Sequence, residues 1–395
     1  MNDGGGDGSG YGRIGNLPDE DPTLTRVGLN TPMGELLRRY WQPVCLSAEL
    51  DDLPRRIRVM GEDLVGYRDR NGRPGLLYAH CIHRGASLEF GQIDDDGIRC
   101  CYHGWYFDAE GRCLDQPAEP PGSDYKDKVR QPWYPVREYR GLVFAYMGPP
   151  DKIPDFPVFD VLERDDCDHI AYRNYTRGEI ADCNWLQLQE NGIDGWHTFV
   201  LHTWDRGVHN FTDAYAARPD LDFQSTGHGV QYIRDATLPN GNRFIRISEV
   251  IVPTARSIPP PTVDGTDPDS ETEPARMVGW WVPVDDTHTM GFHIEMRPRG
   301  ARGAAYQPTE PYVRDYVERQ RRPDDWEAQV GQGPIVNHAR EHLGTSDRGV
   351  VMFRRLLRDG IAAIAKDRDP PGILRNQKYP LYKIGARNQV TAPDD

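Results

Sequence analysis

The sequence has no apolar run near the roughly 20 residues that a membrane-spanning helix needs, and it has no excess of positive charge. Over 395 residues, 61 acidic side chains outnumber 47 basic ones, for a net charge of −14. That balance argues against non-specific nucleic-acid binding and against docking on anionic membranes, because both are driven by clustered lysine and arginine. It still allows an anionic small molecule held by a few local arginines. Residues 1–10 are rich in glycine and aspartate and lack the basic start and apolar core of a secretory signal, so the chain is expected in the cytoplasm. No G-x-G-x-x-G stands at a strand-to-helix turn, so the chain is not expected to bind NAD(P)H itself. Cysteine is scarce as well. Seven of them, an odd number, make a poor disulfide framework, and those spaced with histidines are better read as metal ligands.

Glycine (40) and proline (33) are frequent, which points to many turns and short strands. At roughly 150 residues per domain the length suggests two domains. Residues 1–22 read as a flexible tail. Thr31 then offers an N-cap and Pro32 a first helical residue, for a helix running through Leu36, Leu37 and Tyr40. Between 51 and 149, short apolar runs at 57–60, 64–67, 76–79 and 141–147 alternate with turn pairs such as Asn71-Gly72 and Asp96-Gly97, the pattern of a small all-β domain. The proline-rich stretch 149–157 is a connector, which sets the first domain at 23–155 and the second at 156–395. In the second, strands at 243–252, 277–284 and 287–296 predict a larger antiparallel sheet. Helices are expected at 185–201, 310–320, 335–343 and 347–365. The fold class is α+β, a small all-β domain followed by a larger sheet flanked by helices.

Chemistry concentrates in two places. Cys81-Ile-His83-Arg and Cys100-Cys-Tyr-His103-Gly-Trp form C-x-H and C-x2-H, with sixteen residues between His83 and Cys100. Each pair follows a strand or a turn, so each belongs at a β-loop tip, and two facing tips could close over one metal centre. Two thiolates with two imidazoles suit zinc, or a [2Fe–2S] cluster whose cysteines hold one iron and whose histidines hold the other. Four unrelated loop residues are the bland alternative.

The second place is residues 184–202, where Asp194, His197 and His202 form D-x2-H-x4-H. Asp194 and His197 share a helical face. His202 lies about 140° further round at ~100° per residue, so both histidines converge only if the helix is distorted or ends nearby. Two imidazoles and one carboxylate make a facial triad at iron(II), with positions open for dioxygen and substrate. Two surface histidines on a helix are the bland alternative here.

Both segments carry a family resemblance. C-x-H-R-G followed by C-x-Y-H-G-W, with Arg84, Gly85, Tyr102, Gly104 and Trp105 flanking the ligand types, resembles the Rieske motif of ring-hydroxylating oxygenases. Respiratory Rieske proteins usually carry an extra cysteine in each loop; Tyr102 stands at the second such position. E-N-x-x-D-x-x-H-x4-H, from Glu190 to His202, is similar to the mononuclear iron segment of the same oxygenases. The stretches 322–335 and 341–347 resemble the phthalate-dioxygenase-like subgroup, and the resemblance extends from about Leu24 to Leu357. It implies Cys81, His83, Cys100 and His103 as ligands of a Rieske [2Fe–2S] cluster, leaving the adjacent Cys101 and His80 as packing or supporting residues. It implies His197 and His202 as ligands of a mononuclear iron(II). Counting back from Gly333-Pro334-Ile335 gives Asp325 as the carboxylate ligand, with Asp324 and Glu327 as alternatives. Asp194 is implied to link a Rieske histidine of one subunit to the iron-ligating histidine of its neighbour, hence a homotrimer or a dimer of trimers.

For function, the resemblance implies the terminal oxygenase of a multicomponent system with a helix-grip catalytic domain. Electrons would come from a separate NAD(P)H-dependent flavin/iron–sulfur reductase, directly or through a ferredoxin. The substrate would be aromatic, by similarity a carboxylate that is hydroxylated, cis-dihydroxylated or O-demethylated; N-demethylases and natural-product hydroxylases share the family. Arg206, Arg243 and Arg246 are candidate anchors for a carboxylate. A Rieske electron carrier would leave the second domain unexplained, and a zinc hydrolase would be colourless.

Overall fold

The computed structural model describes residues 20–173, 180–204, 213–260, 272–299 and 314–393. Thr31 accepts the Gly34 N–H and caps the short helix α1 (Pro32–Leu37), with proline in its first turn as expected. After β1 (Trp41–Leu46), one three-stranded antiparallel sheet forms from β2 (Arg55–Val59), β3 (Glu62–Arg68) and β4 (Pro74–Tyr78). A four-stranded one follows from β5 (Gln92–Asp94), β6 (Gly97–Arg99), β7 (Tyr106–Phe107) and β8 (Cys113–Asp115). The chain then returns through β9 (Val136–Tyr139) and β10 (Leu142–Tyr146), and β10 pairs with β1. The small all-β domain read from the turn pattern is therefore present, its strands within two residues of the expected ends.

Beyond β11 (Val158–Phe159) come β12 (Cys167–Arg173), β13 (Ile180–Ala181) and two helices, α2 (Trp185–Asn191) and α3 (Gly195–Trp204). The strands β14 (Asp220–Ser225), β15 (Gly229–Thr237), β16 (Arg243–Ile251), β17 (Ala255–Ser257), β18 (Thr272–Pro274), β19 (Met277–Asp285) and β20 (His288–Pro298) follow. Three helices, α4 (Tyr316–Arg321), α5 (Asp325–Val330) and α6 (Arg348–Ile364), precede β21 (Leu381–Tyr382) and β22 (Arg387–Thr391). The described residues build one large antiparallel sheet in the order β12-β20-β19-β17-β16-β15-β14, with β13 on β20 and β22 on β16. No helix among them is long and apolar enough to cross a membrane.

Strand alternation sorts this sheet into two faces. Ala255, Trp280 and Phe292 stand opposite one another in register. Trp280 meets Phe144 and Phe159 edge-on at 5.4 and 5.7 Å, so this face closes the core shared with β10 and β11. One residue along, Arg256, Gly279, His293 and Tyr172 form the next row, on the other face. Gly279 is needed there: a Cβ would lie 2.5 Å from His293 Cδ2. Helices α2 and α3 cover that second face.

Two expected helices differ. The run 185–201 is broken at Gly192–Asp194 into α2 and α3. The expected helix at 335–343 is only a single 3-10 turn, His338–Arg340. Its leading backbone groups are taken by tertiary partners, with Val336 N–H donated to Gln187 Oε1 and Pro334 O accepting Asn184 N–H. The expected helix at 310–320 shortens to α4, and residues 310–313 lie outside the described residues.

Candidate functional site

Two turns of one design bring Cys81, His83, Cys100 and His103 together. Gly85 N–H donates to Cys81 O at 2.8 Å, and Gly104 N–H to Cys100 O at 3.0 Å, so each chain folds back over its cysteine. Both glycines hold positive φ, 77° and 74°, a conformation costing an L side chain roughly 1–2 kcal/mol. The backbone N–H of His83 points at the Cys81 sulfur, and those of Tyr102 and His103 at the Cys100 sulfur. The two cysteines are free thiols, buried and hydrogen-bonded to each other. The bond from Cys81 and the two backbone N–H groups bring the Cys100 thiol down to about 6, while the same bond and burial push Cys81 up. The backbone N–H groups aimed at the Cys100 sulfur favour its thiolate, the form that binds metal.

The imidazoles of His83 and His103 meet edge-on with centroids 4.5 Å apart, and His83 stacks on Trp105 at 4.5 Å. Two buried sulfurs beneath two half-buried imidazoles fit a cluster whose histidine-held iron faces outward. His80 and Cys101 are both exposed rather than packed. His80 is turned aside, its Nδ1 3.1 Å from Gly85 O.

The second group forms below the large sheet. Asp194 Oδ1 accepts the N–H groups of Trp196 (2.9 Å) and His197 (3.4 Å) and so starts α3 anew after the Gly192 break. The break therefore precedes the histidines, and α3 runs through both of them. They converge on a third residue: Asp325 Oδ1 lies 3.6 Å from His197 Nε2, and Oδ2 lies 3.6 Å from His202 Nε2. These separations are too long for hydrogen bonds. They suit donors around one ion, since metal–ligand bonds of ~2.0–2.2 Å place neighbouring donors ~3–3.5 Å apart. Asp325 opens α5, and its neighbours are otherwise engaged. Asp324 and Glu327 form a capping box, and Arg314 reaches each at 2.7 Å. Asn191 Nδ2 donates to Asp325 Oδ1 at 3.3 Å, tying α2 to the group. Asp194 Oδ2 stands 3.8 Å from His197 Nδ1 and its side chain is 38% exposed.

Above this group lies a residue that sequence reasoning missed. Arg256 is buried, and its charge meets that of Asp325 only at longer range. Its guanidinium lies over the Trp281 indole at 4.2 Å and approaches His293 Nε2 at 3.4 Å. Among the described residues no carboxylate pairs with it, and its Nε has no partner. Burial lowers its pKa to about 10, so it stays charged at neutral pH. Burial, and then Arg256 itself, hold His293 neutral. The signal was an arginine alone in residues 251–258, a run with no other charge. The arginines favoured on sequence are occupied elsewhere or not described. Arg243 pairs with Asp235, and Arg246 serves Pro259 O, Pro260 O and Asn388 Oδ1 at 2.8, 3.0 and 3.1 Å. Arg206 lies outside the described residues.

A further group, Glu190, His338 and Glu341, also has ligand-type geometry. Its centre is filled by Arg354, whose guanidinium reaches Glu190 Oε2 at 2.6 Å and Glu341 Oε1 at 3.0 Å. It is an ion-pair network that anchors α2 to α6.

A family model for the Rieske [2Fe–2S] domain matches residues 40–140. The chain is 39% identical to phenoxybenzoate dioxygenase subunit alpha of Ectopseudomonas oleovorans over 98% of this chain and 95% of that one. It is 41% identical to the tert-butanol monooxygenase / tert-amyl alcohol desaturase oxygenase subunit of Aquincola tertiaricarbonis, covering 97% and 86%. In fold it is similar to the NdmA QL mutant of Pseudomonas putida CBB5 solved with caffeine, with a TM-score of 0.66 and 20% identity over 88% of this chain and 100% of that one. The chain belongs to the oxygenase subunits of the Rieske non-haem iron oxygenases, enzymes that carry a [2Fe–2S] cluster and a mononuclear iron.

Proposed function

We propose that this terminal oxygenase acts on an aromatic carboxylate, that Cys81, His83, Cys100 and His103 hold its cluster, and that His197, His202 and Asp325 hold its iron. Arg256 would receive the carboxylate. The carrying observation is this buried guanidinium without a carboxylate partner, on the sheet face that covers the His197–His202–Asp325 group. A buried unpaired charge costs several kcal/mol, and an incoming anion removes that cost. The phenoxybenzoate relative is named for such an acid and the tert-butanol relative for a neutral alcohol, so the acid is the point to test.

Held by Cys81, His83, Cys100 and His103, the cluster would supply single electrons, and the iron(II) at His197, His202 and Asp325 would supply dioxygen activation for hydroxylation, cis-dihydroxylation or O-demethylation. The chain's own residues supply position. Arg256, braced on Trp281, fixes the acid end, and His293 offers a neutral imidazole beside it. Asp194 would connect His197 to a Rieske histidine of a neighbouring copy within a homotrimer, single or stacked in pairs. Its partly exposed carboxylate near His197, with the exposed Ile82 and Tyr102 at the cluster tip, supports that reading. A separate flavin/iron–sulfur reductase or ferredoxin would deliver the electrons in the cytoplasm. The division into a tail (1–22), a Rieske domain (23–155) and a catalytic domain (156–395) belongs to the same reading.

The test is turnover of aromatic acids under 18O2 with NADH and a flavin/iron–sulfur reductase, read by mass spectrometry. Two labelled atoms in a cis-diol identify a dihydroxylase; one, or formaldehyde from a methoxy acid, identifies a monooxygenase or demethylase. Arg256→Met is expected to raise KM for the acid by about 100-fold, the worth of a buried charge-assisted pair. Asp194→Ala should keep both metals yet lose nearly all turnover; normal activity in that variant would sink its linking role.

A further inference from the structure

The segment 184–191 is studded with amide side chains, and each reaches a part of the chain far away in sequence. Asn184 caps α2 by accepting the Leu186 N–H at 3.1 Å, and its Nδ2 donates to Thr25 O and Asp286 O at 2.8 and 2.7 Å. Gln189 Nε2 donates to Ala255 O at 2.8 Å, on the strand that carries Arg256. Those bonds fix α2 at two places. Gln187, which is buried, meets the far end of α5. Its Nε2 donates to Gln329 O and Gly333 O, both at 3.1 Å, and its Oε1 accepts the Val336 N–H at 3.1 Å. Gly333 stands at φ 94°, a left-handed turn that sets its carbonyl beside the helix end. One helical turn along α2, Asn191 Nδ2 lies 3.3 Å from Asp325 Oδ1.

The two helices therefore match antiparallel at equal spacing. Residues 187 and 191 of α2 stand against 329 and 325 of α5, four positions apart on each (191 − 187 and 329 − 325), or about 6 Å. Arg314 holds the first turn of α5 through Asp324 and Glu327, and Gln187 holds its last. A slip of α5 by one residue would turn it by ~100°. Asp325 would then leave the histidines, and the buried Gln187 amide would lose its partners, which is costly. We infer that Gln187 is a positioning residue: it sets the register of α5 and so selects Asp325, rather than Asp324 or Glu327, as the carboxylate that meets His197 and His202. This rests on the reading of Asp325 as an iron ligand. Residues 184–202 thus carry both histidines and the ruler that places the third ligand. A glutamine suits the task, because one uncharged amide supplies two donors and an acceptor.

The experiment is calorimetric titration of iron(II) into the full-length, cluster-loaded enzyme after chelation has emptied the mononuclear site. The electron paramagnetic resonance signal of the nitric oxide adduct is then recorded at saturating iron. Gln187→Met keeps the length of the side chain and loses all three bonds, and should raise the iron(II) dissociation constant about 10- to 100-fold. Gln187→Glu keeps the acceptor for Val336 but not the donors, and should weaken iron binding as much. In both variants the signal at saturating iron should change in rhombicity, because the carboxylate meets the metal at another angle. Cluster absorbance should stay as in the native enzyme. A loss of stability alone would lower occupancy and leave the signal native, so a native signal in either variant overturns the inference. Asp325→Ala tests the underlying reading separately. Native iron affinity in that variant means the ligand assignment fails; lost affinity there, with native signals in the Gln187 variants, sinks only the register role.

Discussion

At the β-loop tips, Cys81 and Gly85 are four positions apart, as are Cys100 and Gly104, and backbone hydrogen bonds alone close each turn. Below the large sheet, His197 and Asp325 are 128 positions apart (325 − 197), and they meet only because α3 and α5 are packed under the same face. The first site is thus a property of two short peptides held by a small core of their own, which includes Val65, Leu77, Leu88 and Phe107. The second depends on long-range packing, on the Gly192 break and on the capping of α5. Local closure resists distant change, whereas a site assembled from remote elements inherits the stability of everything that places them.

The largest effects should separate the two sites. His197→Ala is expected to lose the mononuclear iron and at least about 10³-fold in turnover, with the cluster's visible absorbance intact. Cys100→Ser should remove that absorbance and lower iron from about three to about one per chain. Bleaching of the cluster by His197→Ala would break the comparison, since the sites would then not be independent.

A smaller effect should come from Arg354, which acts on one region only. Burial, opposed by Arg354, brings the Glu190 carboxyl up to about 7, and Glu190 stands beside Asn191, the residue bonded to Asp325. Arg354→Met leaves Glu190 buried without its cation and should cost about 3–5 kcal/mol in urea unfolding. Iron occupancy at the mononuclear site should fall, while cluster content stays. Equal loss at both sites would show that α6 supports the whole chain rather than one site.

The smallest effect concerns pH. Burial, and then the nearby Arg354 charge, lower the His338 pKa from 6.5 to about 4. The unfolded chain therefore takes up this proton below pH 6.5 while the folded chain refuses it. Stability from this group is complete above pH 6.5 and declines as the pH falls toward 4, by about 3 kcal/mol at most. His338→Gln should flatten that part of the profile of urea midpoints; an unchanged slope would show that His338 titrates normally.

Legibility followed the same division. The C-x-H and C-x2-H loops could be read directly, because Rieske loop geometry is written in residues within a few positions of each other. The histidine pair was legible for the same reason, but the way it converges was not. A helical wheel puts the two rings about 140° apart, and only the position of Asp325 between them resolves this. Among Asp324, Asp325 and Glu327, spacing favoured the middle one. The structure adds the reason: the other two are engaged by the cap and by Arg314. Which arginine stands buried over the histidine–aspartate group was not legible, because burial and ion pairing decide which of several strand arginines is engaged, and neither is visible along a chain.

By itself, then, the sequence determined the strand-rich first domain, the donor types gathered in the two groups and the family whose chemistry they share, since each depends on local spacing and donor character. Tertiary structure decided which carboxylate meets the histidines, where the long helix breaks, and that Arg256, among the described residues, is a buried cation without a carboxylate pair on the face over His197, His202 and Asp325. Those depend on which side chains burial brings together and which partners it withholds.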